Sequence, residues 1–270
     1  MSTQTPSPVT LAVANQKGGV AKTTSVASIG AALAELGHRV LLVDLDPQAC
    51  LTFSLGIDPE DLETSVHHVL TQGIDPADII IETEDGVDLL PATIELARAE
   101  ADLLTRTGRE HVIKGALEQL ADDLADTEEG PYDWVLLDCP PSLGVLTVAA
   151  LTAADGVLVP LQCETLSHRG VGQLLDTVHD VRRFTNRGLE VWGVLPTLYD
   201  GRTNHARTVL ETISETYDLE VVEPPIPKTI KFAEAPAAGR SILSTTRKHR
   251  GADAYRDVAA NLLKRRGSAA

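Results

Sequence analysis

A glycine-containing segment near the N-terminus carries residue types that bind nucleotide phosphates. Residues 13–25, "VANQKGGVAKTTS", follow a short apolar run and precede a helical pattern. A phosphate loop needs inward-pointing backbone N–H groups, a helix N-terminus behind them and a cation above them. Gly18 and Gly19 permit the tight turn, Lys22 can reach the β- and γ-phosphates, and Thr23 offers a hydroxyl to Mg²⁺. We therefore predict a phosphate-binding loop in this segment.

The predicted loop departs from the standard pattern G-x-x-x-x-G-K-[ST]. If Lys22 closes the motif, Gln16 and Ala21 occupy the positions where glycines are required. An alanine at position 21 costs little in a helical backbone but is strained at positive φ. The pattern therefore indicates either a damaged loop or a different kind of nucleotide site.

Acidic residues end two of the predicted strands. Asp44 and Asp46 close "RVLLVDLD", and Asp138 closes "WVLLD". In an open α/β sheet, ligands bind beyond the carboxyl ends of the strands. Carboxylates there suit a Mg²⁺-bound nucleotide, with one acid holding waters of the metal and another orienting an attacking water.

The elements that must position these residues alternate between short apolar runs and longer helical patterns. Near-continuous Val/Leu strands separated by helices predict an α/β fold, a single domain with a mostly parallel central sheet and helices on both faces. We expect the domain to span residues 9–266, with disordered tails at 1–8 and 267–270. Strands are expected at 9–14, 39–46, 134–138, 156–161 and 191–196, and helices at 22–36, 166–184 and 204–217.

Composition and charge narrow the class of protein. The sequence has no apolar run near 18 residues and no basic, apolar leader, which argues against a membrane span or a secretory signal. Three widely spaced cysteines fit a reducing cytoplasm better than disulfides or zinc. The net charge is −16, yet residues 228–266 hold ten Lys and Arg against three Asp and Glu. This segment either meets a polyanion or forms a solvated basic helix.

Six collinear motifs give the sequence a specific resemblance over residues 9–263. In order and spacing they resemble the ParA/Soj partition ATPases of the deviant Walker A class, to which MinD also belongs. The motifs are "NQKGGVAKTT", "LLVDLDPQ", "DWVLLDCPPSLG", "VPLQCETLSHRGVGQLL", "TLYDGRTN" and "IPKTIKFAEAP". The resemblance implies a P-loop NTPase architecture and ATP, ADP and Mg²⁺ as ligands.

The resemblance assigns a role to each lysine of the loop. This class uses K-G-G-x-x-K-[ST], in which the early lysine, here Lys17, crosses to the nucleotide of a second subunit when two subunits close around two ATPs. A second cation there would stabilise charge that one subunit cannot neutralise. Lys17, Lys22 and Asp46 are the implied catalytic residues, with Asp46 positioning the attacking water.

The remaining site residues follow from the same motif matches. Thr23, Asp46 and Asp138 are implied at the metal, with Asp44 as structural support. Ala49 and Cys50 replace the Gly-Asn that commonly follows D-P-Q in the family, which puts the hydrolysis rate in doubt. The nucleotide-binding set is Lys17, Gly18, Gly19, Val20, Ala21, Lys22, Thr23, Thr24 and Pro227, the last from "PPIPK" (224–228), which is expected to wall the adenine site.

The resemblance also implies DNA and protein partners. Arg202, Lys228 and Lys231 match basic positions that bind DNA without reading sequence in Soj-like proteins; alternatively, Arg202 pairs locally with Asp200. The expected protein is a cytoplasmic, nucleoid-associated ATPase, slow alone, that forms a homodimer on ATP, binds nonspecific double-stranded DNA and serves chromosome or plasmid partition with a ParB-like partner. Two alternatives are a relative that positions another cargo and a non-hydrolysing ATP-dependent DNA-binding regulator. The C-terminal tail is too weakly apolar for membrane binding.

Overall fold

A computed structural model describes residues 8–164 and 167–269 of the chain. Short Val/Leu-rich runs form strands, and the amphipathic or Ala-rich segments between them form helices. The strands are β1 (Val9–Val13), β2 (Val40–Asp44), β3 (Ile81–Glu82), β4 (Asp88–Leu90), β5 (Trp134–Asp138), β6 (Gly156–Gln162) and β7 (Glu190–Thr197). The helices are α1 (Lys22–Glu35), α2 (Cys50–Ser54), α3 (Val66–Gln72), α4 (Leu96–Leu104), α5 (Val112–Leu124), α6 (Val145–Ala153), α7 (Ser167–Phe184), α8 (Asn204–Tyr217), α9 (Lys231–Glu234), α10 (Ile242–Thr245) and α11 (Arg250–Ala269).

The strands form one sheet in the order β3-β4-β2-β5-β1-β6-β7. Every pairing is parallel except that of β3 with β4 at one edge. The register aligns the ends of the central strands, because Asp138 pairs with both Val13 and Asp44. The carboxyl ends of β1, β2 and β5 therefore lie side by side, as the sequence predicted for its acidic residues. We call the border of the sheet formed by these strand ends the carboxyl edge.

Apolar side chains cover both faces of this sheet. Successive strand residues point to opposite faces. Leu41 and Val43 accordingly pack in one core, whereas Val40 and Leu42 pack in the other together with α1 and α11. The mostly parallel sheet with helices on both faces confirms the predicted fold class.

The element boundaries differ from the sequence predictions in places. Strand β2 spans Val40–Asp44, shorter at both ends than the predicted 39–46. Residues 1–7 and 270 of the predicted disordered tails lie outside the described residues, as do position 165 and position 166, where the predicted helix 166–184 begins. Helix α11 continues to Ala269, into the segment expected to be disordered. None of the helices in the described ranges is long and apolar enough to cross a membrane.

Candidate nucleotide site

The predicted phosphate loop, residues 14–21, is fastened to two strands of the sheet. Asn15 is buried, and its Nδ2 donates to the carbonyl of Pro160 in β6 at 2.8 Å while its Oδ1 accepts from the Lys17 N–H at 2.9 Å. The Thr197 hydroxyl, at the end of β7, donates to the Val20 carbonyl at 2.9 Å. These contacts hold both halves of the loop in place before helix α1 begins at Lys22.

The loop enters α1 through a left-handed residue. Ala21 has φ 63° and ψ 36°, and Gly19 has φ 72°. Ala49, which precedes α2, is also left-handed, with φ 51°. Both alanines therefore stand where glycine would be unstrained, at a cost of about 1–2 kcal/mol each. The strained alternative foreseen for Ala21 is the one that occurs.

Lys22 points into the loop of its own chain. Only 7% of its surface is exposed, and its Nζ lies 3.4 Å from the Lys17 carbonyl. Burial lowers the pKa of the Lys22 ammonium, while the charges of Asp138 and Asp46 act in the opposite direction. The cation is thus held among carboxylates at the carboxyl edge of the sheet, where a phosphate group would supply its counter-charge.

Asp44 supports the segment that follows β2. It is fully buried and accepts hydrogen bonds from the Thr52 N–H at 2.9 Å, the Thr52 hydroxyl at 2.8 Å and the Asp46 N–H at 3.1 Å. Thr52 Oγ1 also accepts from the Ala92 N–H at 3.0 Å, which links this segment to the loop after β4. These hydrogen bonds fit the supporting role that the family resemblance implies for Asp44.

Asp138 is the buried group with the least internal compensation. Neither carboxylate oxygen makes a hydrogen bond within the described part of the chain, and both are inaccessible to solvent. Burial, and then the charge of Asp44, raise its pKa well above the ordinary value, although the hydroxyl of Thr23 and the charge of Lys22 oppose the shift. Burial also raises the pKa of Asp44 to about 6. A hard divalent cation or its bound water would satisfy these oxygens, so the residues present fit Mg²⁺.

Asp46 stands at the more open side of the same edge. Its Oδ1 accepts from the Gln48 N–H at 3.0 Å, which shapes the turn toward Ala49 and Cys50. Asp46 is partly exposed, unlike Asp44 and Asp138. This exposure suits a carboxylate that must reach a water molecule in solution.

Lys17 points away from the loop that Lys22 faces. Its side chain is 32% exposed and forms an ion pair with Glu164, at 2.5 Å between Nζ and Oε2. Glu164 follows β6 and is itself exposed. The two lysines of the motif therefore have different surroundings, one buried in its own loop and the other at the surface.

Two of the three predicted DNA-binding residues line one cleft of about 470 Å³. The chain after β7 runs beside residues 225–228, because the Tyr199 N–H donates to the Ile226 carbonyl at 2.9 Å. This contact places Arg202 and Lys228 in the cleft together with Arg250, the first residue of α11. Sequence reasoning did not single out Arg250, whose only signal was its place in the basic segment.

Of the other two predicted features, Lys231 lies outside that cleft, whereas Pro227, the expected adenine wall, lines it. Lys231 opens α9 and forms an ion pair with Glu234 at 2.6 Å rather than lining the cleft. Pro227 does line it.

Arg202 contacts both carboxylate oxygens of Asp200, at 2.8 and 2.7 Å, and lowers the pKa of Asp200 to about 2. The local pairing foreseen as the alternative for Arg202 is therefore present, with the guanidinium still exposed.

Known proteins match this chain over nearly its whole length. The AAA domain family profile matches residues 9–191. The chain is 43% identical over 250 residues to the sporulation initiation inhibitor protein Soj of Bacillus subtilis strain 168, covering 92% of this chain and 96% of Soj. It is 40% identical over 256 residues to the chromosome partitioning protein ParA of Caulobacter vibrioides, covering 94% of each. The chain belongs to the ParA/Soj family.

Solved structures agree with this family assignment. A Mycobacterium smegmatis protein, named cobyrinic acid a,c-diamide synthase, is 54% identical, superposes with a TM-score of 0.85 and covers 97% of both chains. It was solved with ADP and magnesium and also with an ATP analog and magnesium. MinD of Pyrococcus horikoshii, with Mg-ADP, has the same fold at a TM-score of 0.74 and 24% identity. The ParA/Soj resemblance and the P-loop NTPase fold predicted from the six motifs are confirmed.

The structure of this family member groups most of the predicted site residues. Thr23, Lys22, Asp46 and Asp138 meet at the carboxyl edge of the sheet. Sequence reasoning missed the residues that hold them there, because a buried Asn or Thr has no spacing signal. These residues are Asn15, Thr52 and Thr197.

Replacing Asp138 with Asn should stabilise the protein in the absence of nucleotide and metal. The native carboxyls of Asp138 and Asp44 have raised pKa values, so the native state binds more protons than the unfolded chain above about pH 4. The contribution of this pair to the free energy of unfolding therefore falls as pH rises through about 6. We expect Asp138→Asn to gain on the order of 1–3 kcal/mol at pH 7.5 and to flatten this pH dependence.

Urea unfolding with EDTA at pH 5 and pH 7.5 measures both effects. Asp123→Asn, at an exposed position of α5, is the control and should change neither value. A loss of stability in Asp138→Asn at pH 7.5 would contradict the description of Asp138 as a buried charge without compensation.

Replacing Ala21 with Gly should relieve the left-handed strain at the start of α1. We expect the free energy of unfolding to rise by up to about 1 kcal/mol, since the greater entropy of an unfolded glycine offsets part of the gain. Ala27→Gly, within α1, is the matched control and should cost about 1 kcal/mol or more. Equal destabilisation by the two substitutions in chemical unfolding would rule out strain at Ala21.

Proposed function

We propose that this protein is an ATP-dependent dimerisation switch with slow Mg²⁺-dependent ATPase activity, binding nonspecific DNA as the ATP dimer. The observation that carries the proposal is the different placement of the two motif lysines. Lys22 is buried in its own loop, whereas the ammonium of Lys17 lies at the surface on a carboxylate. One cation serves the nucleotide of its own subunit, and the other is accessible to the nucleotide of a second subunit.

Binding of Mg²⁺ and nucleotide is supported by the buried polar groups at the carboxyl edge. Lys22 and the N-terminus of α1 would hold the phosphates, and Thr23 with Asp138 would hold the metal or its waters. Bound Mg²⁺ neutralises charge on the phosphates. Asp46 accepts a hydrogen bond from the attacking water and orients it. The ADP and ATP-analog structures of the Mycobacterium smegmatis protein support ATP, ADP and Mg²⁺ as the ligands.

DNA binding is proposed for the cleft that contains Arg202, Lys228 and Arg250. Asp200 neutralises one of these charges, so each subunit presents a modest net positive patch. A single weak patch gives low affinity, but two patches on one dimer bind the same duplex with a large gain in avidity. ATP would thereby control DNA binding through dimerisation, without changing the patch itself.

The cellular role we propose is chromosome or plasmid partition in the cytoplasm, on the nucleoid, with a ParB-like partner that stimulates hydrolysis. The sequence similarity to Soj and to the Caulobacter ParA, 43% and 40% identity, supports this role. Slow hydrolysis by the protein alone keeps the dimer on DNA until the partner resets the switch. Ala49 and Cys50 lie close to Asp46 in the sequence, and Ala49 has left-handed backbone. Because they replace the Gly-Asn that is common in the family, they are the positions that would make the rate of ATP hydrolysis differ from that of other members.

A second candidate follows from the name of the Mycobacterium smegmatis protein, which describes synthesis of a diamide. Glutamine-dependent amide synthesis needs a reactive cysteine thiolate. Burial raises the pKa of all three thiols here, that of Cys163 to about 11, which disfavours a thiolate nucleophile in this chain. Amide formation with added ammonia and ATP is the assay that would reveal this activity.

Replacing Lys17 with Ala should separate nucleotide binding from dimerisation. We expect Lys17→Ala to bind Mg²⁺–ATP but remain monomeric, Lys22→Ala to lose nucleotide binding, and Asp46→Ala to accumulate as an ATP-bound dimer. Sedimentation velocity with ADP, ATP and a non-hydrolysable analog gives the oligomeric state, and equilibrium binding of a fluorescent nucleotide gives the affinity. Wild-type-like dimerisation of Lys17→Ala would contradict the proposed function.

Reversing the charge at Arg202, Lys228 and Arg250 should weaken DNA binding by the ATP-bound protein and leave nucleotide affinity unchanged. Each lost phosphate contact should reduce the slope of log affinity against log salt by about 0.9. Lys231→Glu should have a smaller effect, because Lys231 lies outside the cleft. Lys114→Glu is the control, since Lys114 lies with Thr10 and Asp155 at the opposite edge of the sheet. Equal effects of the control and cleft variants on binding to a random duplex would exclude the cleft.

A further inference from the structure

We propose that Glu164 holds Lys17 on its own subunit until ATP is bound at a dimer interface, and so sets the ATP dependence of dimerisation. The inference rests on the proposed function. In the resting chain, the Glu164 carboxylate is paired with the Lys17 ammonium. The nucleotide of a second subunit would need that same ammonium. Dimerisation therefore exchanges an intramolecular Lys17–Glu164 pair for an intermolecular Lys17–phosphate contact.

Both residues of the Lys17–Glu164 pair are positioned by strand β6. Asn15 anchors the backbone of Lys17 to Pro160 of β6 through its two hydrogen bonds. Glu164 lies two residues after the end of β6, in a turn where its N–H donates to the Gln162 carbonyl at 2.8 Å. Lys17 and Glu164 are 147 residues apart in sequence. Because β6 positions the backbone of both residues, their side chains are close enough for the 2.5 Å contact.

The exchange is favourable only when the incoming phosphate is present. The Lys17 and Glu164 side chains are 32% and 53% exposed, and an exposed pair of this kind shifts an equilibrium by at most about five-fold. A polyphosphate in a closed, poorly hydrated interface attracts the ammonium more strongly than this solvated carboxylate does. A weak resting pair can thus be displaced by ATP but still opposes spontaneous closure.

A second cation lies near the glutamate that Lys17 would leave. Lys17 makes the largest contribution to the lowered pKa of the Glu164 carboxyl, and Lys228 contributes in the same direction. Lys228 also acts on Asp200, the partner of Arg202. When Lys17 moves to a nucleotide, Lys228 remains as a counter-charge, so the carboxylate is not left unbalanced beside the phosphates.

Removing the charge of Glu164 should therefore strengthen the ATP dimer. Each dimer contains two such pairs, so the effect on the dimer dissociation constant enters twice. We expect Glu164→Gln to lower that constant, measured by sedimentation velocity with a non-hydrolysable ATP analog and Mg²⁺, by about 2- to 25-fold at low salt. The difference from wild type should shrink at high salt, whereas nucleotide affinity of the monomer should not change.

Three further variants separate this role from a general charge effect. Glu118→Gln removes an exposed partner of Lys114 on α5 and should leave the dimer constant unchanged. Glu164→Asp keeps the charge and should lie close to wild type. In a Lys17→Ala background, Glu164→Gln should not restore dimerisation, because the pair no longer exists.

The outcomes distinguish this inference from the function on which it rests. If wild-type protein dimerises with the analog and Glu164→Gln dimerises equally or more weakly, Glu164 does not restrain Lys17 and only the inference is wrong. If wild-type protein stays monomeric with the analog, both proposals are wrong. Dimerisation of the double variant Lys17→Ala/Glu164→Gln would also overturn the inference, since the effect of Glu164 would then be independent of Lys17.

Discussion

The parallel pairing of β1, β2 and β5 is the constraint on which the site depends. Their register places Val13, Asp44 and Asp138 side by side at the carboxyl edge, so the phosphate loop and two acidic segments begin from the same line. Slippage by one residue would reverse the facing of every side chain on the slipped strand and bury polar groups in an apolar layer. The two apolar cores thus fix the geometry of the ligand edge as well as the stability of the fold.

The protein bears a local cost at this edge. Two alanines hold left-handed backbone, one ammonium is buried, and two neighbouring carboxyls have raised pKa values. Such features disfavour the ligand-free state, and opposite charge and a metal ion would compensate the buried charges. Their concentration around the loop, at the carboxyl edge of the sheet, is a physical reason to propose the ligand site there.

The placement of cations organises the rest of the proposed mechanism. In that mechanism, a buried Lys22 and a surface Lys17 would divide the motif between two subunits, and the ion pair with Glu164 would control when the second lysine becomes available. The cleft with Arg202, Lys228 and Arg250 lies on the segments after β7, close enough for Lys228 to influence Glu164. The nucleotide and DNA surfaces that we propose would thereby be neighbours.

The sequence by itself determined the fold class and the family, because near-continuous apolar runs and collinear motifs can be recognised without the tertiary structure. It also identified position 21 as the uncertain point of the loop, but the sign of φ there depends on how Asn15 and Thr197 tether the loop to β6 and β7. Only the tertiary structure decided that Arg250 joins Arg202, that Lys231 does not, and that Glu164 meets Lys17. Those contacts join residues tens to more than a hundred positions apart. They are set by strand order and register, which no short stretch of sequence encodes.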